Sequence, residues 1–186
     1  MTLDHAITLP PTPRDWPLEV HRALSEAAIN LVGYVPDAGH KRLIELCHAD
    51  GSIGAVPLTT EEEGVGLALG AWLGGEKTVV LLQSSGVGNM VNVLGTVREC
   101  RLPFLMIATM RGEDGEFNPW QVPMGRAAPT VLEAMGARVR RAEKAGEVAR
   151  VVRAAIAEAY QEDAAVAVLI SQAVIGIKSF QEQRDR

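Results

Sequence analysis

Three stretches of this chain are apolar almost throughout: Thr78-Val-Val-Leu-Leu82, residues 103–110 and Ala165–Ile170. A strand with one wet face alternates apolar and polar residues, so a run without alternation is buried on both faces. Between these runs lie segments of helical spacing, clearest at Val148, Val151, Val152, Ala155, Ile156 and Ala159. Apolar strands separated by amphipathic helices specify an α/β chain, a three-layer, doubly wound parallel sheet of about six strands. The pattern predicts strands at 31–35, 52–58, 77–83, 103–110, 137–141 (an edge) and 165–170. Helices are expected from 18 to about 31, at 41–48, behind residue 60, from 89 to about 100, at 130–135 and at 147–160. Residues 1–17, with Pro10, Pro11, Pro13 and Pro17, read as an irregular leader, 18–171 as the domain and 172–186 as a tail. Residues 111–127 are aperiodic and rich in Gly, Pro and charge, the mark of a long functional loop.

The whole chain has 186 residues, 47% hydrophobic and 22% charged, with a net charge of −5. That suits one globular domain, and without a Lys/Arg block it excludes a phosphate-backbone grip. No apolar run reaches the ~18 residues that span a bilayer, and no signal pattern opens the chain. The two cysteines, Cys47 and Cys100, read as separate buried thiols, which suits a reducing cytoplasm.

Ligands on such sheets bind beyond the carboxyl ends of the strands, and the polar residues gather there. Thr60-Glu-Glu-Glu-Gly64 opens a helix that also carries Gly66, Gly70, Gly74 and Gly75. Glycine costs a helix about 1 kcal/mol against alanine, so this run asks for close approach by a neighbour or cofactor. The expected bare stripe is Gly64, Ala68, Ala71 and Gly75, with Gly66, Gly70 and Gly74 beside it. Val65, Leu69, Trp72 and Leu73 are expected to face the core. Thr60-x-x-Glu63 also fits a capping box, so Glu63 has a structural and a functional reading. Ser85-Gly86-Val-Gly88-Asn89 follows a strand, but the third glycine of a dinucleotide fingerprint falls on Val91. A turn presenting backbone amides to an anion or carbonyl is the remaining reading. His40 lies beside Asp37 at the end of the first strand, either as a site residue or as an exposed helix-start histidine. Arg111 and Arg126 bracket the long loop, as anion ligands or as solvated charges.

Taken together, Val35-Pro-Asp37, the acidic start of the glycine-rich helix, Gln83-Ser-Ser-Gly-Val-Gly-Asn89 with Asn92, Arg111-Gly112 and Gln121-Val-Pro-Met-Gly-Arg126 resemble the pyrimidine-binding domain of thiamine-diphosphate enzymes. More narrowly they resemble the sulfopyruvate decarboxylase α subunit and the matching half of phosphonopyruvate decarboxylase, over about residues 19–171. Ser84 departs from the asparagine usual in that branch.

The resemblance implies a cytoplasmic carboxy-lyase acting on a small anionic 2-oxo acid, sulfopyruvate first and phosphonopyruvate as the close alternative. It implies Glu63 as the acid that meets N1′ of the aminopyrimidine, favouring the tautomer whose N4′ takes the thiazolium C2 proton. Glu61 and Glu62 are then solvated dipole partners. Gly66, Gly86 and Gly88 lie against the cofactor, and Asp37, His40, Gln83, Ser85, Asn89, Arg111 and Arg126 against substrate. The family's Gly-Asp-Gly and later asparagine ligand to Mg²⁺ are missing, so the resemblance implies a β subunit that holds Mg²⁺ and the diphosphate in a hetero-oligomer. The rival from another class is a non-catalytic nucleotide- or effector-binding α/β protein.

Overall fold

The computed structural model describes residues 15–176. Its centre is a six-stranded, wholly parallel sheet in the order β2-β1-β3-β4-β6-β5. The strands are β1 (Ile29–Tyr34), β2 (Gly54–Pro57), β3 (Lys77–Gln83), β4 (Phe104–Thr109), β5 (Arg138–Ala142) and β6 (Ala165–Ile170). Alternate residues of the central strands enter opposite layers. Val79, Leu81, Leu105, Ile107, Val166 and Val168 meet α1 (Trp16–Glu26), α2 (Lys41–Ala49) and α6 (Val148–Gln161). Val80, Leu82, Phe104, Met106, Ala108 and Leu169 meet α3 (Glu61–Leu73), α4 (Val87–Cys100) and α5 (Gln121–Ala134). The expected three-layer doubly wound architecture is the one found.

β3 and β6 occupy the residues expected of them, because burial on both faces makes residues 79–82 and 165–170 uninterrupted apolar runs. The edges are less regular. β2 is only four residues long, and β5 carries Arg138, Arg140 and Arg141 among its five residues, pairing them with Glu158, Glu162, Glu113 and Glu143. A charged edge of this kind discourages further strand pairing.

Four expectations need correction. α1 runs from Trp16 to Glu26, where a helix from 18 to about 31 was expected: the Asp15 carboxylate caps it, Pro17 sits in its first turn, and β1 already begins at Ile29. A first-turn proline is tolerated because its missing N–H would have no helical partner there. Ser171 caps a short helix, α7 (Gln172–Ile175), where the tail was expected; residues 1–14 and 177–186 lie outside the described residues. The long loop ends at Trp120, and α5 takes up Gln121 onward with Pro129 inside it. Cys47 is buried, but Cys100 is exposed at the end of α4.

Strand order reverses between β1 and β3, so the crevice at their carboxyl ends is the topological switch point. Around it sit Val35 to His40, the start of α3, the turn after β3 and the end of β4.

Candidate active site

α3 turns only one of its three leading carboxylates inward. Glu61 is 5% exposed, and its Oε2 accepts a hydrogen bond of 2.7 Å from Asn89 Nδ2. The carboxyl group fills the space a side chain on residue 86 would need, so Gly86 is required by Glu61. Gly86 and Gly88 both lack positive φ. Residues 84–86 form a single 3-10 turn that runs straight into α4, so this segment is a helix start with room for a carboxylate and not a left-handed anion nest.

Glu63 behaves in the opposite way. It is exposed, and it accepts hydrogen bonds from Thr59 N at 2.8 Å and from Thr59 Oγ1. These bonds hold its carboxyl below the ordinary glutamate range. The expected capping box is therefore displaced by one residue: the Thr60 side chain caps nothing, and Glu63 reaches past it to Thr59. Glu62 is exposed. The expectation of a solvated Glu61 and a crevice-bound Glu63 is reversed, because the helix register turns the first acid of the three toward the sheet.

The bare face also shifts. Gly64 and Ala68 are buried, and a Cβ on Gly64 would press on Val80 and Leu58. The open positions are Gly66 and Gly70, which meet nothing within 4 Å, with Leu73 76% exposed beside them. Of the residues expected to face the core, Val65 is buried, Leu69 packs on the core edge and Trp72 lies against Tyr160. Leu73 is a correction.

At the neighbouring strand ends, Asp37 accepts from Gly39 N at 3.1 Å and from Thr109 Oγ1, tying β1 to β4. His40 is fully buried, so its reading as an exposed helix-start residue fails. Its Nε2 donates to the Ile107 carbonyl at 3.1 Å, and burial lowers its pKa against the pull of Asp37. Gln83 and Ser85 are half-buried at the end of β3 without a side-chain hydrogen bond among the described residues. Ser84 is buried behind them, and its hydroxyl accepts from Arg111 N at 2.9 Å, fastening β3 to β4.

The two arginines part company. Arg111 is 8% exposed and forks onto Glu116, Nε to Oε2 at 2.8 Å and Nη2 to Oε1 at 2.7 Å. The Glu116 carboxylate also accepts from Gly112 N, Asn118 N and Gln172 Nε2. Arginine and these other donors hold it down at about 2. Arg126 is exposed on α5 and lines a cleft of about 610 Å³ with Gly112, Glu113, Asp114, Gly125 and Arg141. Gly125 lets α5 lie directly on the Arg111 carbonyl, where a side chain would collide. Sequence reasoning missed Glu61, Glu116 and Thr109. Glu116 had a readable signal, an acid five residues beyond Arg111 in the same glycine-flanked loop.

Among the described residues no group of three or more His, Cys, Asp or Glu side chains could hold a metal ion, and no helix is long and apolar enough to cross a membrane.

No family model matches the chain. It is 42% identical over 114 residues to the sulfopyruvate decarboxylase subunit alpha of Methanothermobacter thermautotrophicus, an alignment that covers 61% of this chain and 69% of that one. The sulfopyruvate decarboxylase of Methanosarcina acetivorans is 34% identical over 119 residues, 63% of this chain but only 30% of its own length. A phosphonopyruvate decarboxylase of Streptomyces viridochromogenes is 34% identical over 112 residues, 59% of this chain and 28% of that one. Among solved structures, the fold matches a Mycobacterium smegmatis protein described as a thiamin diphosphate-dependent enzyme at a TM-score of 0.69 and 15% identity, over 88% of this chain and 33% of that one. It also matches the 2-oxoglutarate:ferredoxin oxidoreductase of Magnetococcus marinus at a TM-score of 0.67 and 14% identity, over 86% of this chain and 29% of that one. The chain therefore spans about a third of each of these larger structures.

Proposed function

The chain belongs to the sulfopyruvate decarboxylase α-subunit family, and from that premise we propose that it supplies the pyrimidine half of a thiamine-diphosphate site that decarboxylates sulfopyruvate to sulfoacetaldehyde and CO₂. Thiamine diphosphate, when bound, supplies the electron sink that takes up the carboxylate's bonding pair. The residues present fit its aminopyrimidine end. The observation that carries the reading is the Glu61 carboxyl, buried over a side-chain-free Gly86 at the switch-point crevice. A carboxyl in a water-poor crevice can hold and release a proton at a ring nitrogen, which an exposed, doubly bonded Glu63 is badly placed to do. The role foreseen for Glu63 accordingly passes to Glu61. Glu63 instead fixes the helix start.

Gln83 and Ser85 keep free hydrogen-bonding groups at the same crevice for the 2-oxo acid. Asp37 and His40 stabilise the floor through Thr109 and Ile107. Arg111 is committed to Glu116, which leaves Arg126 to meet the substrate's sulfonate, a tetrahedral oxyanion suited to a guanidinium fork. The diphosphate and its Mg²⁺, a cation that binds through carboxylates and phosphate oxygens, are assigned to a separate β subunit, and the assembly to the cytoplasm. The M. acetivorans relative is in keeping with this division: its match to this chain fills only 30% of its length, which leaves room for a second domain within that one chain. Phosphonopyruvate is the second reading, favoured by the Streptomyces relatives and by the like geometry of its anion.

The test is to assay the purified chain, alone and co-expressed with a candidate β subunit, on both oxo acids. Decarboxylation by the pair and none by the single chain is expected. Tight, Mg²⁺-dependent cofactor binding by the single chain would refute the half-site reading.

A further inference from the structure

Asn89 was expected to contact substrate, yet its amide faces inward. It stands at the rim, itself exposed, in the first turn of α4, and its Nδ2 meets Oε2 of the buried Glu61 at 2.7 Å. The other oxygen, Oε1, rests over Gly86. This is the one side-chain hydrogen bond to Glu61 found among the described residues. We infer that Asn89 is the positioning residue of the site: it fixes the rotation of the Glu61 carboxyl by holding one oxygen, so that the other is presented to the aminopyrimidine nitrogen. This rests on the assignment of Glu61 made above.

The choice of side chain follows from what the carboxyl must do. A group that gains and loses a proton changes between acceptor and donor. A carboxamide serves both states, since its N–H donates to a carboxylate and its C=O accepts from a carboxylic acid after rotation. Aspartate in the same place would set two negative charges side by side, and an apolar residue would leave the buried carboxyl without its partner, with the cost of an unsatisfied charge. The spacing is also set by structure. The start of α4 packs beside the start of α3, and residue 89 is one turn beyond residue 86, the position that must lack a side chain for the carboxyl to fit.

The experiment uses the full chain assembled with its partner subunit, thiamine diphosphate and Mg²⁺. It reads exchange of the thiazolium C2 proton with D₂O, cofactor affinity by calorimetry and melting temperature. Asn89→Leu should slow C2 exchange by about 10–100-fold, the loss of a hydrogen bond to a charged group. Cofactor affinity should stay within about threefold, since the lost bond does not touch the cofactor. Melting temperature should fall by a few degrees as the carboxyl loses its partner, and a merely structural role would not slow C2 exchange while cofactor affinity is kept. Asn89→Asp should slow exchange at least as much, and it reads the same contact should the leucine variant fail to assemble. Wild-type exchange in both Asn89 variants, with slow exchange in Glu61→Gln, would overturn the positioning role and leave the site intact. Wild-type exchange in Glu61→Gln would overturn the site assignment and the inference with it.

Discussion

Glu61 and Glu116 sit at the same edge of the sheet with their side chains withdrawn from water, yet their surroundings are built differently. Glu116 is saturated. Five N–H groups point at its two oxygens: two from Arg111, and one each from Gly112, Asn118 and Gln172. Next to it, Glu113 accepts from Ser171 Oγ and Gln172 N, so the whole loop after β4 is fastened to the segment after β6. Glu61 has Asn89 alone. A saturated buried charge organises a fold and has nothing left to offer a ligand. An undersatisfied one is costly unless something else completes it. The difference teaches where this chain is finished and where it waits for another molecule.

The contrast is broken most sharply by exchanging acid for amide at each helix-start position. Glu61→Gln in the assembled enzyme should lower kcat by about 10²–10⁴-fold, the range for a general acid–base group, with the fold retained. Glu63→Gln should leave turnover close to wild type in the same steady-state assay. The reverse outcome would return the role to Glu63.

On the saturated side the effect should appear in stability. Arg111→Ala strands the Glu116 carboxylate and should cost about 3 kcal/mol in urea unfolding, as expected on breaking a buried pair. The pH dependence sharpens the same point. Glu116 has its pKa held down to about 2 from 4.5 in the folded chain, so the unfolded chain binds a proton that the folded chain does not between those values. Its contribution to stability is complete above about pH 4.5 and is lost as the pH falls toward 2. Glu116→Gln should therefore flatten the acid side of a stability-against-pH curve. The smallest effect belongs to Arg126→Ala. It should raise KM about tenfold through one lost contact to the substrate anion, with kcat held and no change in unfolding.

The sequence made the fold legible wherever burial was complete. β3 and β6 could be bounded because each is built on an uninterrupted apolar run, residues 79–82 and 165–170, whereas β2, whose pattern is half-exposed, was overextended by the neighbouring Ile53 and Leu58. The start of α5 was hidden by Pro123 and Pro129, which read as breakers. Pro123 lies in the first turn, where the missing N–H is harmless, and Pro129 is carried within the helix. At the crevice, the acidic helix start was legible, but which of its acids turns inward was not. Three consecutive acids on a helix rich in small residues give no strong apolar stripe to fix its rotation, so the choice between Glu61 and Glu63 depends on tertiary packing over Gly86. The pairing of Arg111 was hidden for a different reason. A loop arginine looks available until its local partner is recognised, and Glu116 is near enough in sequence to have been weighed.

The open positions Gly66 and Gly70 carry a consequence for anyone engineering this protein. Each makes the lone helix about 1 kcal/mol less stable than alanine would, and no contact within the described chain repays it. Selection or design for a higher melting temperature of the isolated subunit will therefore drift to alanine or larger residues at these two places and register only improvement. A thermostability screen is blind on that face, and variants from it should be ranked by assembled activity before they are kept.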